Sequence, residues 1–170
     1  MNLNLDRMNS PLGTILLVWQ DKHLHALDFS DYETRMTKLL QQHYGAYELR
    51  EATAPADVRA ALADYFAGDF AALDRLSVKT NGTEFQRTVW AALRKIPAGQ
   101  TRTYGELAKQ IQRPAAVRAV GTTNGANPIG IVVPCHRVIG ANGTLTGYAG
   151  GLERKQWLLE HEGALTPALL

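Results

Sequence analysis

The stretch TYGELAKQIQRPAAVRAVGTTNG, residues 103–125, decides the fold of the second half of the chain. Thr103 and Glu106 have the spacing of a capping box, which predicts the start of a helix. Pro114 is expected to open the next helix, which is rich in small residues and carries one long cation, Arg118. Two short helices joined by a tight turn that contains proline are typical of a helix-turn-helix.

The small side chains of this second helix allow two interpretations. Ala115, Ala116, Ala119 and Gly121 would let the helix backbone approach a DNA duplex closely, with Arg118 as the long side chain that reaches out. The same residues would also let the helix pack tightly against a neighbouring helix. This segment alone does not decide between the two interpretations.

Further signals of helix ends and turns lie on both sides of this motif. Upstream, Thr83 and Gln86 have the spacing of another capping box. Downstream, Asn142-Gly143 predicts a two-residue β-hairpin, and a last helix is expected to end at Gly163 as its C-terminal cap. Helices followed by a hairpin and a closing helix predict a winged-helix-like domain.

The first half of the chain predicts a sheet with helices, and its first 30 residues are expected to form strands with turns. Residues 14–20 are β-branched and apolar, and residues 24–29 alternate between apolar and polar, as strands do. Residues 10–13, SPLG, predict the turn before the first of these strands. His23 and His25 are expected to face solvent or to be hydrogen-bonded.

Two helices are expected after these strands. Ser30 and Glu33 have capping-box spacing at the start of the first helix. Pro55 suits the first turn of the second helix, and Gly68 is expected to end it. Residues 76–83 are expected to form a linker.

Length and composition fit one medium globular domain or two small ones, and we expect two, at residues 1–80 and 81–170. The first carries 8 Lys and Arg against 11 Asp and Glu, whereas the second carries 10 against 5, so the second is the candidate for a phosphate-rich partner. No apolar run reaches the length of a membrane span, and the N-terminus has no signal pattern. A cytoplasmic location without membrane attachment is therefore expected.

The single cysteine, Cys135, lies in PIGIVVPCHRVIG, residues 128–140. The apolar run predicts a strand that stops at Pro134, which places the thiol at the end of an element. His136 and Arg137 follow directly, and positive charge lowers the pKa of a thiol from its usual value of about 8.5. Neighbouring residues of a strand point to opposite faces, so His136 can assist the thiol only if the backbone turns at Pro134 or a water molecule bridges them.

Metal chemistry is not expected. One cysteine excludes a cysteine-based zinc site and an internal disulfide. Coordination by His23, His25 and His43 alone has no spacing in its favour. We therefore predict that the protein has no metal and no cofactor.

Several segments together carry a resemblance to a known family. PCHRV, residues 134–138, looks like the active-site motif of the O6-alkylguanine-DNA alkyltransferases, and FQRTVWAALRKIPAGQTRTYGELA, RAVGTTNGANP, GTLTGYAGG and RKQWLLEHEG resemble its C-terminal domain in order and spacing. SPLGTILL and ALADYFAG are similar to the N-terminal domain of the constitutive bacterial members. The resemblance implies a two-domain α+β or α/β fold: a ribonuclease-H-like sheet with helices, then a winged-helix-like domain with a helix-turn-helix.

The resemblance also implies roles for the matched residues. Cys135 would take the alkyl group from guanine O6, His136 would draw off the thiol proton through a water molecule, and Glu162 would orient the imidazole. Asn127 would brace the segment that precedes the nucleophile. Tyr104 would hydrogen-bond the flipped guanine and help to offset charge on the leaving base.

Contacts to substrate and DNA are implied in the same way. Arg118 would fill the gap left in the base stack, and backbone groups of Cys135 and Val138 would read the guanine edge. The loop at residues 148–151 would close over the base, and Lys155 would add a supporting charge. The implied contact residues are Arg118, Ala119, Gly121, Arg137, Val138, Tyr148, Ala149, Gly150 and Lys155.

The implied substrate is double-stranded DNA that carries O6-alkylguanine, with O4-alkylthymine as a further candidate. Transfer to a thiol would be irreversible, so each molecule would act once; a monomer is expected, with cooperative binding along DNA as a further hypothesis. Two other classes of function compete. A helix-turn-helix regulator with a structural cysteine would tolerate Cys135→Ser, and a cysteine hydrolase using Cys135 and His136 would turn over.

Overall fold

The computed structural model describes residues 1–166 and divides the chain into two compact units. Residues 1–82 and the segment Pro128–Val132 form the first unit, and Thr83–Asn127 with the chain from Val133 onward form the second. The segment Pro128–Val132 therefore departs from the predicted division into 1–80 and 81–170. None of the helices within residues 1–166 is long and apolar enough to cross a membrane.

The first unit is built on a five-stranded sheet in the order β4-β1-β2-β3-β5. β1, β2 and β3 form an antiparallel meander, whereas β4 pairs with β1 and β5 pairs with β3 in parallel. The predicted turn at residues 10–13 joins β1 to β2. The strands are β1 (Asn2–Ser10), β2 (Gly13–Gln20), β3 (His23–Phe29), β4 (Glu48–Glu51) and β5 (Ser77–Val78).

The alternation predicted for β3 is not reflected in its burial. Every residue from Leu24 to Phe29 is buried, including His25, which is 2% exposed. On β3, only His23 is exposed. The strand is thus covered on both faces, and a polar residue within it needs a partner inside the protein.

Two α-helices belong to the first unit: α1 (Glu33–Tyr44) and α2 (Ala56–Phe66). The capping box predicted at Ser30 is wrong, because Ser30–Tyr32 form a 3₁₀ turn and α1 begins at Glu33 with no side-chain cap. The end predicted for α2 is confirmed: Gly68 has φ +111°, and its N–H donates to the Tyr65 carbonyl.

Two segments that the sequence did not predict as strands pair with this sheet. β5 lies inside the predicted linker 76–83, and the polar strand β4 was not predicted. The predicted strand before Pro134 is reduced to one bridge between Ile129 and Leu27. The chain then turns, with Ile131 at φ +67°, a strained conformation for a β-branched residue.

The second unit carries the remaining helices, and its capping boxes are confirmed. Thr83 and Gln86 cap one helix, and Thr103 and Glu106 cap the next, each through reciprocal side-chain and backbone bonds. The helices are α3 (Glu84–Leu93), α4 (Tyr104–Gln110), α5 (Val117–Gly125) and α6 (Leu152–His161). The short strands β6 (Arg102–Thr103) and β7 (Val138–Ile139) pair in parallel.

The turn of the helix-turn-helix is longer than predicted. α5 begins at Val117 rather than at Pro114, because Pro114 occupies a turn closed by the N–H of Ala116 and the carbonyl of Arg113, 2.9 Å apart. Proline suits the second position of such a turn, since its φ is already fixed. The helix that we compare with a DNA-reading helix is therefore three residues shorter.

The hairpin predicted at Asn142-Gly143 is only a turn. The N–H of Gly140 donates to the Thr144 carbonyl, but the residues after Thr144 pair with no strand in the described chain. The predicted end of α6 is confirmed: Gly163 has φ +79° and donates to Glu160, while Ala164 donates to Leu159. This is the bond pattern of a Schellman motif.

Candidate active site

The backbone turns sharply just before Cys135. Pro134 has φ −82° and ψ 64°, and the N–H of Cys135 donates to the Val133 carbonyl over 2.8 Å. This is an inverse γ-turn. Cys135–Arg137 then form a 3₁₀ turn, so Cys135 and His136 do not lie on a strand. The geometric condition set by the sequence, a turn at Pro134, is met.

Two asparagine amides hold this turn from the side of α5. Asn127 Nδ2 donates to the Val133 carbonyl over 2.7 Å, which gives that oxygen its second hydrogen bond. Asn124 Nδ2 donates to the carbonyl of Cys135 itself, over 3.3 Å. Both asparagines are buried. The position of the thiol is therefore tied to the C-terminal end of α5.

His136, Arg137 and Glu162 form a buried network beside the cysteine. His136 Nε2 lies 2.9 Å from Glu162 Oε2, and Arg137 makes a forked pair with the same carboxylate over 2.8 Å and 2.9 Å. A further Arg137 nitrogen donates to the Ile96 carbonyl over 2.6 Å. Such a bidentate pair fixes the carboxylate in orientation as well as in charge.

The network assigns the tautomer of His136. Burial opposes ionisation of Glu162, but the hydrogen bonds and charges of His136 and Arg137 outweigh it and hold the pKa of this carboxyl well below its ordinary range. An ionised carboxylate can only accept, so Nε2 carries the proton. Burial lowers the pKa of His136, although Glu162 acts in the opposite direction. A neutral ring then leaves a lone pair on Nδ1, which has no hydrogen-bond partner within residues 1–166.

Lys155 is a second buried cation of this unit. Its side chain on α6 is fully buried, and Nζ donates to the carbonyls of Val138 and Thr146 over 2.7 Å and 2.9 Å. Burial lowers the pKa of Lys155 to about 8, while the nearby Cys135 acts to raise it. Its ammonium group therefore joins the active-site segment to the following loop.

Two tyrosines border the same region. Tyr104 Oη lies 2.9 Å from the hydroxyl of Thr146, and the ring of Tyr148 stands edge-on to His136 with centroids 6.5 Å apart. In the loop that follows, Ala149 is half-buried and Gly150 is buried, with its carbonyl bound by Arg154. Of the predicted residues of this loop, Tyr148 thus lies beside the imidazole.

Family models match both halves of the chain. Residues 6–80 match the 6-O-methylguanine DNA methyltransferase ribonuclease-like domain, and residues 84–164 match the 6-O-methylguanine DNA methyltransferase DNA-binding domain. The methylated-DNA–protein-cysteine methyltransferase of Salmonella typhimurium is 55% identical over 163 residues, 94% of this chain and 95% of the relative. The chain belongs to this methyltransferase family. Its reaction is DNA repair by transfer of an alkyl group to a cysteine of the protein.

Another relative and a solved structure from the methyltransferase family are also similar to this chain over most of its length. The relative from Mycolicibacterium paratuberculosis is 49% identical over 168 residues, 96% of this chain and 94% of the relative. The crystal structure of Mycobacterium tuberculosis OGT in complex with DNA has a TM-score of 0.78 at 40% identity, covering 96% of this chain and 94% of that one. The two-domain fold expected from the resemblance is thus confirmed.

The methyltransferase's predicted DNA-contact residues fall into two groups. Arg118 and Ala119 are exposed on the first turn of α5 and line an open groove of about 660 Å³ beside α3. Gly121 is half-buried, and a Cβ there would meet the Tyr104 ring at an ordinary contact distance of 3.7 Å, so packing does not require glycine. Arg137 is instead 7% exposed and bound to Glu162, so its side chain points inward, and its contact with DNA stays a prediction.

Two functional features of the methyltransferase were missed from the sequence. Asn124 was not singled out, although it lies three residues before Asn127, in the last turn of α5. The inward role of Arg137 was also missed, since its partner Glu162 is 25 residues distant. The spacing of two asparagines was the one local signal available.

Proposed function

We propose that this methyltransferase repairs O6-alkylguanine in double-stranded DNA by direct and irreversible transfer of the alkyl group to Cys135. The bond between the alkyl carbon and O6 breaks as a bond to Sγ forms. The electron pair stays on the base, which takes up a proton and becomes guanine. The observation that carries the proposal is the lone pair of His136 Nδ1, in the residue that directly follows the only cysteine, on a ring bound by the Glu162 carboxylate that Arg137 also holds.

Activation of the thiol follows from this network. A water molecule between Sγ and His136 Nδ1 passes the thiol proton to the imidazole, while Glu162 holds the ring and stabilises the charge that it gains. Asn127 keeps the turn before Cys135 closed. The active form of the nucleophile is the thiolate.

Recognition of the base uses groups that surround the thiol. Tyr104 hydrogen-bonds the base and offsets the charge that develops on it, and the backbone of Cys135 and Val138 reads the guanine edge. The loop of Tyr148, Ala149 and Gly150 closes over the base, with a backbone N–H near O6. Lys155 supports the site electrostatically.

Access to the lesion requires extrusion of the nucleotide. An alkyl group on O6 lies inside the duplex, and flipping the base costs a few kcal/mol. Insertion of Arg118 from the minor-groove side, with Ala119 and Gly121 against the duplex, offsets this cost and needs no particular sequence. A monomer, cooperative binding along DNA, action on O4-alkylthymine and a cytoplasmic location remain predictions of the same proposal.

Irreversibility follows from the product. A thioether has no good leaving group, so the alkylated cysteine is not regenerated and each molecule acts once. A second portion of damaged DNA added to spent protein should therefore stay unrepaired.

The test is the intact mass of the protein after incubation with a duplex that contains O6-methylguanine, with Cys135→Ser as the matched variant. The wild type should gain the mass of one methyl group per molecule, and the variant should gain none and leave the lesion intact. No gain with the lesion intact would favour a DNA-binding regulator. No gain with the lesion repaired would show a turnover enzyme, and either result would overturn the proposal.

A further inference from the structure

Thr146 is a half-buried residue of the loop between β7 and α6, and the structure holds it at three points. Its hydroxyl lies 2.9 Å from Tyr104 Oη, and its carbonyl accepts from the buried ammonium group of Lys155 over 2.9 Å. Its methyl group lies close to Gly140, because a Cβ at that glycine would come within 3.1 Å of Thr146 Cγ2. A β-branched side chain is also stiff about its first torsion, so the hydroxyl of Thr146 has a defined position.

The ring of Tyr104 is placed by two helices. Tyr104 is the first residue of α4, directly after Thr103, which caps that helix together with Glu106. The ring also lies beside α5, where a Cβ at Gly121 would be 3.7 Å from it. These contacts fix the ring and its oxygen, but the direction of the O–H bond is decided by the hydrogen-bond partners of the hydroxyl.

Proton counting assigns the direction of the bond between the two hydroxyls. Each hydroxyl has one proton to donate, and in the free protein either one can donate to the other. When Tyr104 gives its proton to the base, its oxygen can only accept from Thr146. The result is a chain in which Thr146 donates to Tyr104 and Tyr104 donates to the base. Hydrogen bonds in such a chain polarise one another, so the phenol becomes a stronger donor.

We propose that Thr146 is a positioning residue, which directs the O–H bond of Tyr104 toward the flipped base and strengthens it as a donor. The inference rests on the proposed function, in which Tyr104 hydrogen-bonds the base during transfer to Cys135. Thr146 acts through Tyr104 and does not itself touch the reacting atoms. Because the charge on the base grows toward the transition state, Thr146 should affect the rate of transfer more than the binding of damaged DNA.

The experiment measures single-turnover transfer from a duplex that contains O6-methylguanine, at increasing concentrations of protein. Thr146→Val removes the hydroxyl and keeps the branched shape of the side chain. Its maximal rate constant should fall roughly threefold to tenfold, the worth of one hydrogen bond, while the half-saturating concentration stays close to that of the wild type. Thr146→Ser keeps the hydroxyl and should recover most of the lost rate. Thr146→Ala, which also lacks the hydroxyl, takes the place of the valine variant if valine does not fit.

A double-mutant cycle with Tyr104→Phe tests whether Thr146 acts through the phenol. In the Tyr104→Phe protein no O–H bond is left to direct, so adding Thr146→Val should cause no further loss of rate.

The matched control is Thr144→Val, the same chemical change two residues earlier in the same loop. Thr144 is exposed, and its hydroxyl donates to Asn142 Oδ1 over 2.7 Å. Its hydroxyl has no part in the proposed chain, so Thr144→Val should keep the wild-type rate constant.

The outcomes separate this inference from the proposed function. An unchanged rate for Thr146→Val, or equal losses for the valine and serine variants, would overturn the inference. The same would follow if Thr146→Val slowed the Tyr104→Phe protein by the same factor as the wild type, because the role of Thr146 would then be structural. A wild-type rate for Tyr104→Phe would overturn the inference and the role of Tyr104, but not the transfer to Cys135. Only failure of the wild type to take up the methyl group would overturn the proposed function itself.

Discussion

The two units each bury a histidine, and the two surroundings differ in kind. His25 on β3 is 2% exposed, and its Nδ1 lies 3.0 Å from the hydroxyl of Tyr44, which in turn donates to the Lys79 carbonyl. His136 is fully buried and bound to an ionised carboxylate that also holds Arg137. The first histidine has neutral partners, and the second has charged ones.

His25 thus has the surroundings of a structural residue, whereas those of His136 suit the proton transfer that we propose. Burial lowers the pKa of His25 to about 4, with the charges of Lys79 and His23 adding to the effect and Asp21 opposing it. His136 is also held neutral by burial, but Glu162 is placed to stabilise the proton when it arrives. A buried ion pair is seldom the most stable filling for a core, so its presence points to function.

The largest effect is expected from Glu162→Gln, which breaks the charged surroundings of His136. Arg137 would remain buried without its carboxylate, and removing one member of a buried pair costs about 3–5 kcal/mol of unfolding free energy. The transfer rate should also fall, because the ring loses its stabilising charge. Urea unfolding and single-turnover transfer measure the two effects.

The control for this change is Glu160→Gln, at a half-buried position of α6 two residues before Glu162. It should alter the unfolding free energy by no more than about 0.5 kcal/mol. If Glu162→Gln lowered the unfolding free energy by less than about 1 kcal/mol, the pair of Arg137 and Glu162 would contribute no more than a surface salt bridge. That result would contradict the contrast between the charged surroundings of His136 and the neutral surroundings of His25.

An intermediate effect on the unfolding free energy is expected when the pH is lowered. The pKa of His25 is depressed to about 4 in the folded state, against 6.5 as the ordinary value, so the unfolded chain binds the proton first. Its contribution to stability is complete above pH 6.5 and is lost as the pH falls toward 4. The loss should be about 2–3 kcal/mol. The unfolding free energy of His25→Gln, measured with urea, should fall by correspondingly less between pH 7 and pH 4.5.

His23→Gln provides the comparison on the same strand, because His23 is exposed. It should retain most of the acid sensitivity of the wild type, because the charge of His23 contributes less to the lowered pKa of His25 than burial does. His136 is present in all three proteins, so its own titration cancels from the differences. An acid sensitivity that His25→Gln leaves unchanged would place the titrating group elsewhere and reject this account of His25.

Local signals predicted local structure well where the tertiary context agreed. The capping boxes at Thr83 and Thr103 formed as expected, and Gly163 ended α6. The same spacing at Ser30 failed, because Ser30–Tyr32 form a 3₁₀ turn directly after buried Phe29. A capping box specifies hydrogen bonds within one helical turn. It carries no information on the path that the chain takes out of the preceding strand.

The sequence indicated which residues belong to the candidate site better than it indicated how they are arranged. The adjacency of Cys135 and His136 marked the chemistry, and the resemblance supplied Glu162. The γ-turn at Pro134 and the inward course of Arg137 depend on contacts with distant segments, such as the Ile96 carbonyl. No spacing in a single sequence encodes such contacts.

The smallest effect is expected from Tyr44→Phe, which removes one hydroxyl from the neutral surroundings of His25. The ring contact, with centroids 5.3 Å apart, is kept, whereas His25 Nδ1 and the Lys79 carbonyl each lose a partner. The unfolding free energy should fall by about 1–2 kcal/mol. The rate of alkyl transfer should stay unchanged, because a hydrogen bond between neutral groups in the first unit holds no group that takes part in the reaction. If Tyr44→Phe slowed transfer as strongly as Glu162→Gln, the two buried histidines would serve the same purpose, and the contrast between structural and chemical burial would be wrong.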